Sequence, residues 1–295
     1  MNLFDQLVDA ALQHEQQLSS LRVVVEKELL HHDILREMAQ LELLSGLTFI
    51  GGTCLRACYG SERLSEDLDF TGGRDFNRRK LHKMGTMIQE ALETKYGLKV
   101  TVSEPVKDSS SVSTWKIKVI TRPQQKNLPS QRINIDICAL PSYQPRPMML
   151  RNIYGIDMGT SGLILQAESR EEILADKFVA LALHPNRMKY RDLWDIHWLT
   201  QQGAEIPFTL IPKKIHDHHQ KPREFVKLLE ARLKSLSHPE TKKEFLSEMR
   251  RFLPTSTAKK VLEKKDFWVY LTDLLKVHGK QICLALALST AKCNT

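Results

Sequence analysis

Phe49-Ile-Gly-Gly-Thr53 and Ser65-Glu-Asp-Leu-Asp-Phe70 are the two stretches of this sequence that decide its fold. The first places two glycines directly after a short apolar strand, and the second sets two aspartates two positions apart in an apolar run. Because a strand points alternate side chains to the same face, we expect Asp67 and Asp69 to project together, with Cα atoms roughly 6–7 Å apart. The apolar residues around them then face the other way.

Paired carboxylates beside a glycine turn suit one kind of chemistry. Two carboxylates at this spacing can bridge a pair of hard divalent ions about 3.5–4 Å apart, the arrangement that drives in-line attack on a phosphate. Gly51 and Gly52 let the main chain approach a triphosphate closely, with N–H groups directed at its oxygens. Two acidic residues beside a turn are usually just solvated, and the glycine turn upstream is what favours the metal-binding interpretation.

The composition is that of an ordinary globular protein. The chain has 295 residues, of which 42% are hydrophobic and 26% charged. No window approaches eighteen uninterrupted apolar residues, which argues against a membrane span. The first residues lack the pattern of a signal peptide, and five cysteines without a framework spacing fit a reducing compartment, so we expect a cytoplasmic location.

The charge balance favours an anionic partner. The formal net charge is +8, and the lysines and arginines crowd the C-terminal third of the chain. Two interpretations stay open, a solvated helical surface and a flank that faces RNA. The residues in question are Lys213, Lys214, Lys221, Arg223, Lys227, Arg232, Lys234, Lys242, Lys243, Arg250, Arg251, Lys259, Lys260, Lys264 and Lys265.

The hydrophobic periodicity divides the chain into a mixed α/β part and a helical part. We expect domains at 1–165 and 166–295, the second with a basic surface. In the first we predict helices over 2–44, Thr53–Tyr59 and from an N-cap at Asp75 to Tyr96. We predict strands over Leu47–Ile50, Leu68–Thr71, Lys99–Ser103, Ser113–Thr121, Arg132–Ala139 and Leu163–Ala167, with a polar loop over Pro123–Ser130. After Ser169 the pattern is helical, with breaks near Pro185, Pro212, Pro222, Pro239 and Pro254.

Asp136 is the candidate third carboxylate. It lies in Ile133-Asn-Ile-Asp-Ile137, where three isoleucines alternate with polar residues and therefore occupy the opposite strand face. From a neighbouring strand, Asp136 could complete a metal site with Asp67 and Asp69, or take the proton of an attacking hydroxyl. The alternative is an ordinary half-exposed strand residue.

Lys177 lies within an apolar stripe of a predicted helix, between Ile173 and Leu181. A lysine there needs an anion for its ammonium group, unless its stem carries the charge out to solvent. A triphosphate is one such anion, and Asp192 or Asp195 on the next helix is another.

Asp192 and Asp195 are themselves flanked by bulky apolar residues, and buried carboxylates need partners. A polar cluster of Lys177, Arg191, Asp192 and Asp195 that lines a nucleotide cleft would satisfy them. A purely structural network between two helices is the alternative.

A set of motif residues, spread over roughly residues 45–200, resembles the AbiEii/AbiGii toxin family of nucleotidyltransferases. It consists of Gly51-Gly-Thr53, Leu55-Arg56, Tyr59-Gly60, Arg63 and Ser65-Glu-Asp-Leu-Asp-Phe70, followed by Lys177 and Arg191-Asp-Leu-Trp-Asp195. The resemblance implies an α+β fold, a polymerase-beta-like minimal nucleotidyltransferase domain with a mixed sheet and flanking helices, followed by a helical C-terminal domain. It also implies an NTP co-substrate, Mg²⁺ in a two-metal site, and a cognate antitoxin in a toxin–antitoxin or phage-defence system.

The resemblance also assigns roles to residues of this chain. Asp67 and Asp69 would bind metal. Lys177 would hold the triphosphate, and Asp192, with Asp195 as a further candidate, would complete the active centre. The nucleotide-binding residues would be Gly51, Gly52, Thr53, Arg56 and Ser65.

Two departures from the wider superfamily pattern stand out. Fourteen residues separate Gly52 from Asp67, and Gly52 occupies the position of a more frequent serine. Asp136 matches by strand context alone.

The activity we expect is transfer of NMP from an NTP to RNA, most simply to the 3′ acceptor end of tRNA, which would block translation. One alternative keeps the chemistry and changes the acceptor to a protein hydroxyl or a small molecule. Another is a module that binds NTP or RNA without catalysis.

Overall fold

The chain folds into two compact units in a computed structural model that describes residues 2–105, 112–124, 129–184 and 188–292. Unit 1 is Met1–Glu168 and unit 2 is Ser169–Thr295. That each unit is an independent domain stays a prediction. The middle of the loop expected at Pro123–Ser130 and the helix break expected at Pro185 lie outside the described residues.

Unit 1 is built on a seven-stranded mixed sheet of order β3-β4-β5-β2-β1-β7-β6. The strands are β1 (Thr48–Ile50), β2 (Leu68–Thr71), β3 (Val100–Ser103), β4 (Val112–Val119), β5 (Gln131–Cys138), β6 (Pro145–Met149) and β7 (Ile164–Glu168). β2 pairs with β5, and β1 with β7, in parallel, while the other neighbouring pairs are antiparallel. This mixed sheet confirms the α+β class.

Residue alternation in β5 sets the faces of the sheet. Ile133, Ile135 and Ile137 are buried, and Asn134 and Asp136 between them are half-buried. One face therefore carries the apolar core, and the other carries the polar side chains, as the sequence pattern predicts.

In the described part of unit 1, four α-helices flank the sheet: α1 (Leu3–His14), α2 (Arg22–Gln40), α3 (Gly51–Ala57) and α4 (Met84–Tyr96). Short 3-10 turns lie at Gln16–Leu21, Leu43–Gly46 and Arg78–Leu81. α2 is unusual because it buries several charged side chains, among them Glu26 and Glu28, beside its apolar residues. Buried charges need partners, so α2 must be tied to other elements by ion pairs.

In unit 1 one sequence expectation is wrong, and one strand was not predicted. Asp75 does not begin a helix: the side chain of Asn77 accepts from Arg79 N and caps a 3-10 turn, and α4 begins only at Met84. The sequence pattern predicts no strand over Pro145–Met149, where the structure has β6. A proline lacks the N–H that a ladder needs, but β6 is an edge strand, where one side of the ladder is unpaired.

Unit 2 is helical, as predicted. Its helices are α5 (Arg170–Leu183), α6 (Tyr190–Gln201), α7 (Ile211–Asp217), α8 (Pro222–Ser235), α9 (Pro239–Met249), the single turn α10 (Thr255–Thr257) and α11 (Phe267–Lys292). Ser169 caps α5 by accepting from Glu172 N at 3.1 Å, which confirms the predicted helix start. Among the described helices, none combines the length and apolar character that crossing a membrane requires.

Candidate active site

The glycine turn lies between β1 and α3, directly against one of the aspartates. Gly51 has φ +74°, a left-handed conformation that residues with a side chain rarely adopt. A Cβ atom at Gly51 would lie 2.9 Å from Asp69 Oδ2. Glycine is therefore needed both for the backbone conformation and for the close approach of the turn to this carboxylate.

Gly52 is crowded by a different side chain. A Cβ atom there would lie 2.2 Å from Arg63 Nη2 and 3.3 Å from Ser65 Oγ. Arg63 is buried, and its Nη1 donates to Leu64 O at 2.9 Å. The guanidinium thus takes the space that a serine at position 52 would need. Sequence reasoning included Arg63 in the motif without assigning it a role, and its packing against Gly52 carries no local sequence signal.

The three candidate carboxylates come together at the junction of β2 and β5. Asp69 and Asp136 are register partners on these parallel strands, and Asp67 lies two residues before Asp69. Asp67 Oδ1 accepts from Asn134 N at 2.9 Å, and Thr114 Oγ1 donates to Asp136 Oδ1 at 2.5 Å. All three aspartates are half-buried, so water and small ligands can reach them.

These carboxylates fit Mg²⁺ by their chemistry. Within the described ranges, no three His, Cys, Asp or Glu side chains form a ready-made group of metal ligands. Mg²⁺ does not require such a cage, because it keeps several waters and binds through one or two carboxylates together with substrate phosphates. Asp69 and Asp136 at one level, with Asp67 beside them, offer hard oxygen donors of the correct kind.

Thr53 links the glycine turn to the aspartates. Its hydroxyl lies 2.7 Å from Ser65 Oγ and also donates to the main-chain oxygen of Asp67. The predicted nucleotide-binding residues Thr53 and Ser65 are therefore brought together, and both are buried.

Arg56 is held inside unit 1 by Glu28. Its Nε donates to Glu28 Oε2 at 3.1 Å, and its Nη1 donates to Ser61 O at 3.0 Å. Burial works against the charge on Arg56, but the Glu28 carboxylate outweighs it, and the pKa of Arg56 is raised. Sequence reasoning did not find Glu28, which lies far from the motif along the chain. A direct contact between Arg56 and the nucleotide stays a prediction.

Lys177 of unit 2 binds two carboxylates on the neighbouring helix. Its Nζ lies 2.6 Å from Asp192 Oδ1 and 2.8 Å from Asp195 Oδ2. The side chains of all three are largely buried. This confirms that a lysine in the apolar stripe of α5 meets an anion, and the anion is the aspartate pair of α6. Whether Lys177 also holds a triphosphate stays a prediction.

Arg191 and Lys214 have further partners in unit 2. Arg191 Nε lies 3.3 Å from Glu248 Oε1, and its guanidinium stacks over Phe252. Lys214 is buried, with Nζ 2.7 Å from Glu172 Oε1 and 3.0 Å from Asp176 Oδ1. The expectation that Lys214 belongs to the basic surface is therefore wrong, because a buried lysine between two carboxylates is internally paired.

Comparison with known protein families gives one match. The model of one protein family, described as nucleotidyl transferase AbiEii toxin of a type IV toxin–antitoxin system, matches residues 33–272. No curated protein sequence matches the chain.

One solved structure supports the fold, and a second shows a weaker likeness. MenT4, a nucleotidyltransferase toxin from Mycobacterium tuberculosis, is 15% identical with a TM-score of 0.52, covering 95% of this chain and 98% of that chain. JHP933 from Helicobacter pylori is 18% identical with a TM-score of 0.44, covering 92% of this chain and 96% of that chain. Since the family match spans most of the chain, the protein belongs to the AbiEii family of nucleotidyltransferase toxins.

Proposed function

We propose that this nucleotidyltransferase transfers NMP from an NTP to RNA, with the 3′ acceptor end of tRNA as its substrate. The observation that carries the chemistry is the contact between the glycine turn and the carboxylates. Gly51 lies so close to Asp69 Oδ2 that no side chain fits between them. A triphosphate seated on the turn would therefore have its phosphates next to the metal-binding oxygens.

Residues of unit 1 bind the phosphates and the metal. Gly51, Gly52 and Ser65 hold the phosphates, and Asp67 and Asp69, with Asp136, hold Mg²⁺. Bound Mg²⁺ supplies positive charge that orients the α-phosphate and offsets the charge of the leaving pyrophosphate.

The acceptor hydroxyl oxygen forms a bond to the α-phosphorus, and the bond between that phosphorus and the bridging oxygen breaks. Asp136 takes the hydroxyl proton, and pyrophosphate leaves.

An RNA acceptor is supported by charge on both units. Most of the basic residues in the C-terminal third are exposed, Lys242 and Lys243 among them. In unit 1, the segment that follows β2 exposes Arg74, Arg79, Lys80 and Lys83. Basic surfaces bind RNA through its phosphates, and such binding weakens steeply with salt.

The test is direct labelling. The purified protein and its Asp69→Asn variant are incubated with total bacterial RNA, Mg²⁺ and each α-labelled NTP in turn. We expect label in a tRNA-sized band with the wild type alone, and digestion from the 3′ end should release it. Label in protein or in a small molecule would keep the chemistry and overturn the RNA substrate. Equal growth inhibition by wild type and variant would favour a module that binds without catalysis.

A cognate antitoxin belongs to this proposal, as does a cytoplasmic site of action where NTP and tRNA are available. The membership of the family in type IV toxin–antitoxin systems supports it. Co-expression of the toxin with the product of a neighbouring gene, scored as restored growth, tests the partner.

A further inference from the structure

Glu28 of α2 is a buried carboxylate that holds the segment leading into the aspartates. Its side chain belongs to unit 1 and is almost wholly shielded from solvent. Ser65 N donates to Glu28 Oε1 at 3.0 Å, and Arg56 Nε lies 3.1 Å from Glu28 Oε2. The hydroxyl of Tyr154 also donates to Oε2. One carboxylate thus joins α2, α3, the loop residue Ser65 and Tyr154.

The segment 61–66 is fastened to α2 at several points. Arg56, itself held by Glu28, donates from Nη1 to Ser61 O at 3.0 Å. At the other end of the segment, Lys27 Nζ lies 2.6 Å from Glu66 Oε1, and His31 Nε2 lies 3.0 Å from Glu66 O. Glu28 is the member that reaches both ends, through Ser65 directly and through Arg56 at Ser61.

This network continues into the candidate active site. The main-chain N–H of Ser65 donates to Glu28, and the side chain of Ser65 contacts Thr53 of the glycine turn. Thr53 in turn donates to the main-chain oxygen of Asp67. A displaced Ser65 would therefore move both the phosphate-binding turn and the start of β2.

The charge on Glu28 matters as well as its shape. A buried ion pair is maintained by good geometry and full hydrogen bonding, and removing the charge of one partner leaves the other uncompensated. Arg56 would then be free to leave Ser61, and the loop would lose the constraint at that end. Glu28 also lies before residue 33, where the match to the family begins.

We propose that Glu28 is a positioning residue that sets the affinity for NTP by fixing Ser65 and, through Arg56, the loop 61–65. This rests on the proposed function only in that Ser65 and the glycine turn contact the NTP phosphates.

Glu26 provides a matched control on the same helix. It is wholly buried and, like Glu28, accepts from arginine and from a neutral donor. The arginines are Arg22, with Nε at 3.3 Å, and Arg122, and the neutral donor is Gln131, with Nε2 at 2.6 Å. Its ion pairs resemble those of Glu28 in kind, but these partners lie on α2, β5 and the loop before β5. If Glu28 were merely structural, the two glutamates would respond alike to the same isosteric substitution.

The experiment compares Glu28→Gln with Glu26→Gln in the full chain. We expect Glu28→Gln to raise the KM for NTP about tenfold with little change in kcat, as for loss of ground-state positioning, and Glu26→Gln to leave KM unchanged. Hydrogen exchange by mass spectrometry should show faster exchange over 61–65 in Glu28→Gln only. A Tyr154→Phe variant, which keeps the carboxylate and its pair with Arg56, should retain the wild-type KM.

The outcomes separate the two proposals. Equal KM values in Glu28→Gln and Glu26→Gln, or unchanged exchange over 61–65 in Glu28→Gln, would overturn the role of Glu28. If the wild type transfers no nucleotide, the proposed function fails. In that case, the exchange comparison and the Kd of a non-hydrolysable NTP analogue, measured with Mg²⁺ for each variant, still decide whether Glu28 positions the loop.

Discussion

Asp69 and Asp136 stand side by side at the same level of two neighbouring parallel strands, β2 and β5. These strands are separated by more than sixty residues of sequence, and their parallel pairing is what brings the two carboxylates together. Without a cation between them, like charges this close repel each other. The arrangement therefore gains most when a divalent ion binds.

Asp69→Asn tests this relationship. We expect transfer to fall by a factor on the order of 10³ or more, because the variant would lose one of the oxygens proposed to bind Mg²⁺ at the reacting phosphate. The melting temperature without metal should change little, because asparagine keeps the size and shape of the side chain. Asp75→Asn, at an exposed aspartate of the same unit, is the control and should retain activity. Full transfer by Asp69→Asn in saturating Mg²⁺ would contradict the site.

Gly51→Ala separates backbone strain from crowding of the carboxylate. Gly51 and Gly73 have nearly the same φ, +74° and +78°, but only at Gly51 would a Cβ press on Asp69; at Gly73 nothing lies within 4 Å. Both alanine variants should lose stability by roughly 1–2 kcal/mol from the left-handed conformation. Only Gly51→Ala should lose transfer, and by at least about tenfold. Equal activity in the two variants, measured at a temperature where both are folded, would show that the turn does not act on Asp69.

Short-range patterns predicted much of this fold. The alternation around Asp136 correctly predicts β5 and its polar face, and the apolar residues beside Asp69 predict β2. The same reasoning missed β6, because its prolines are tolerated only through its edge position, which depends on the completed sheet. Local propensity predicts Asp75 as the N-cap of a helix, but in the structure Asn77 caps a 3-10 turn there.

The candidate site was predictable where its residues lie close in sequence and less so elsewhere. The motif placed Asp67 and Asp69 without knowledge of the sheet. Glu28 was not predicted as a site residue because it lies in a helix whose sequence shows only a mixture of charged and apolar residues. Its role emerges from contacts with Ser65 and Arg56 that span 37 and 28 positions of the chain. Such contacts are set by tertiary packing, which local patterns do not encode.

Lys177→Met tests whether its ammonium serves only α6 or also the triphosphate. Lys214→Met is its counterpart, since each lysine is largely shielded from solvent and pairs with two carboxylates of unit 2. Both variants should lose about 3 kcal/mol of stability, because each removes the lysine from a wholly buried carboxylate, Asp195 or Glu172. If Lys177 holds the triphosphate, Lys177→Met should reduce kcat/KM for NTP about 100-fold or more beyond the loss seen in Lys214→Met. Equal losses in the two variants would make the Lys177 cluster a structural network.

His31 makes the stability of unit 1 sensitive to acid. Burial is the main cause that lowers its pKa from 6.5 to about 4, against the opposing pull of Glu28 and Asp67. The unfolded chain therefore takes up a proton near pH 6.5, while the folded chain resists until about pH 4. The stability from neutral His31 is complete above pH 6.5 and falls as the pH drops through this window, by about 2 kcal/mol between pH 7.5 and 5.0.

His31→Gln should remove part of this acid sensitivity, because its amide can still donate to Glu66 O but takes up no proton. His32 has a lowered pKa through burial as well, so the loss of pH dependence will be partial. The measurement is the urea concentration at which unit 1 is half unfolded, at pH 7.5 and at pH 5.0. The unfolded fraction is followed by pulsed hydrogen exchange of β2 and β5, with the labelling pulse given at the same pH in both series. His216→Gln, at an exposed histidine, should keep the wild-type difference. An unchanged difference between the two midpoints in His31→Gln would mean that His31 is charged in the folded protein, and that its ring does not hold Glu66 as a neutral donor.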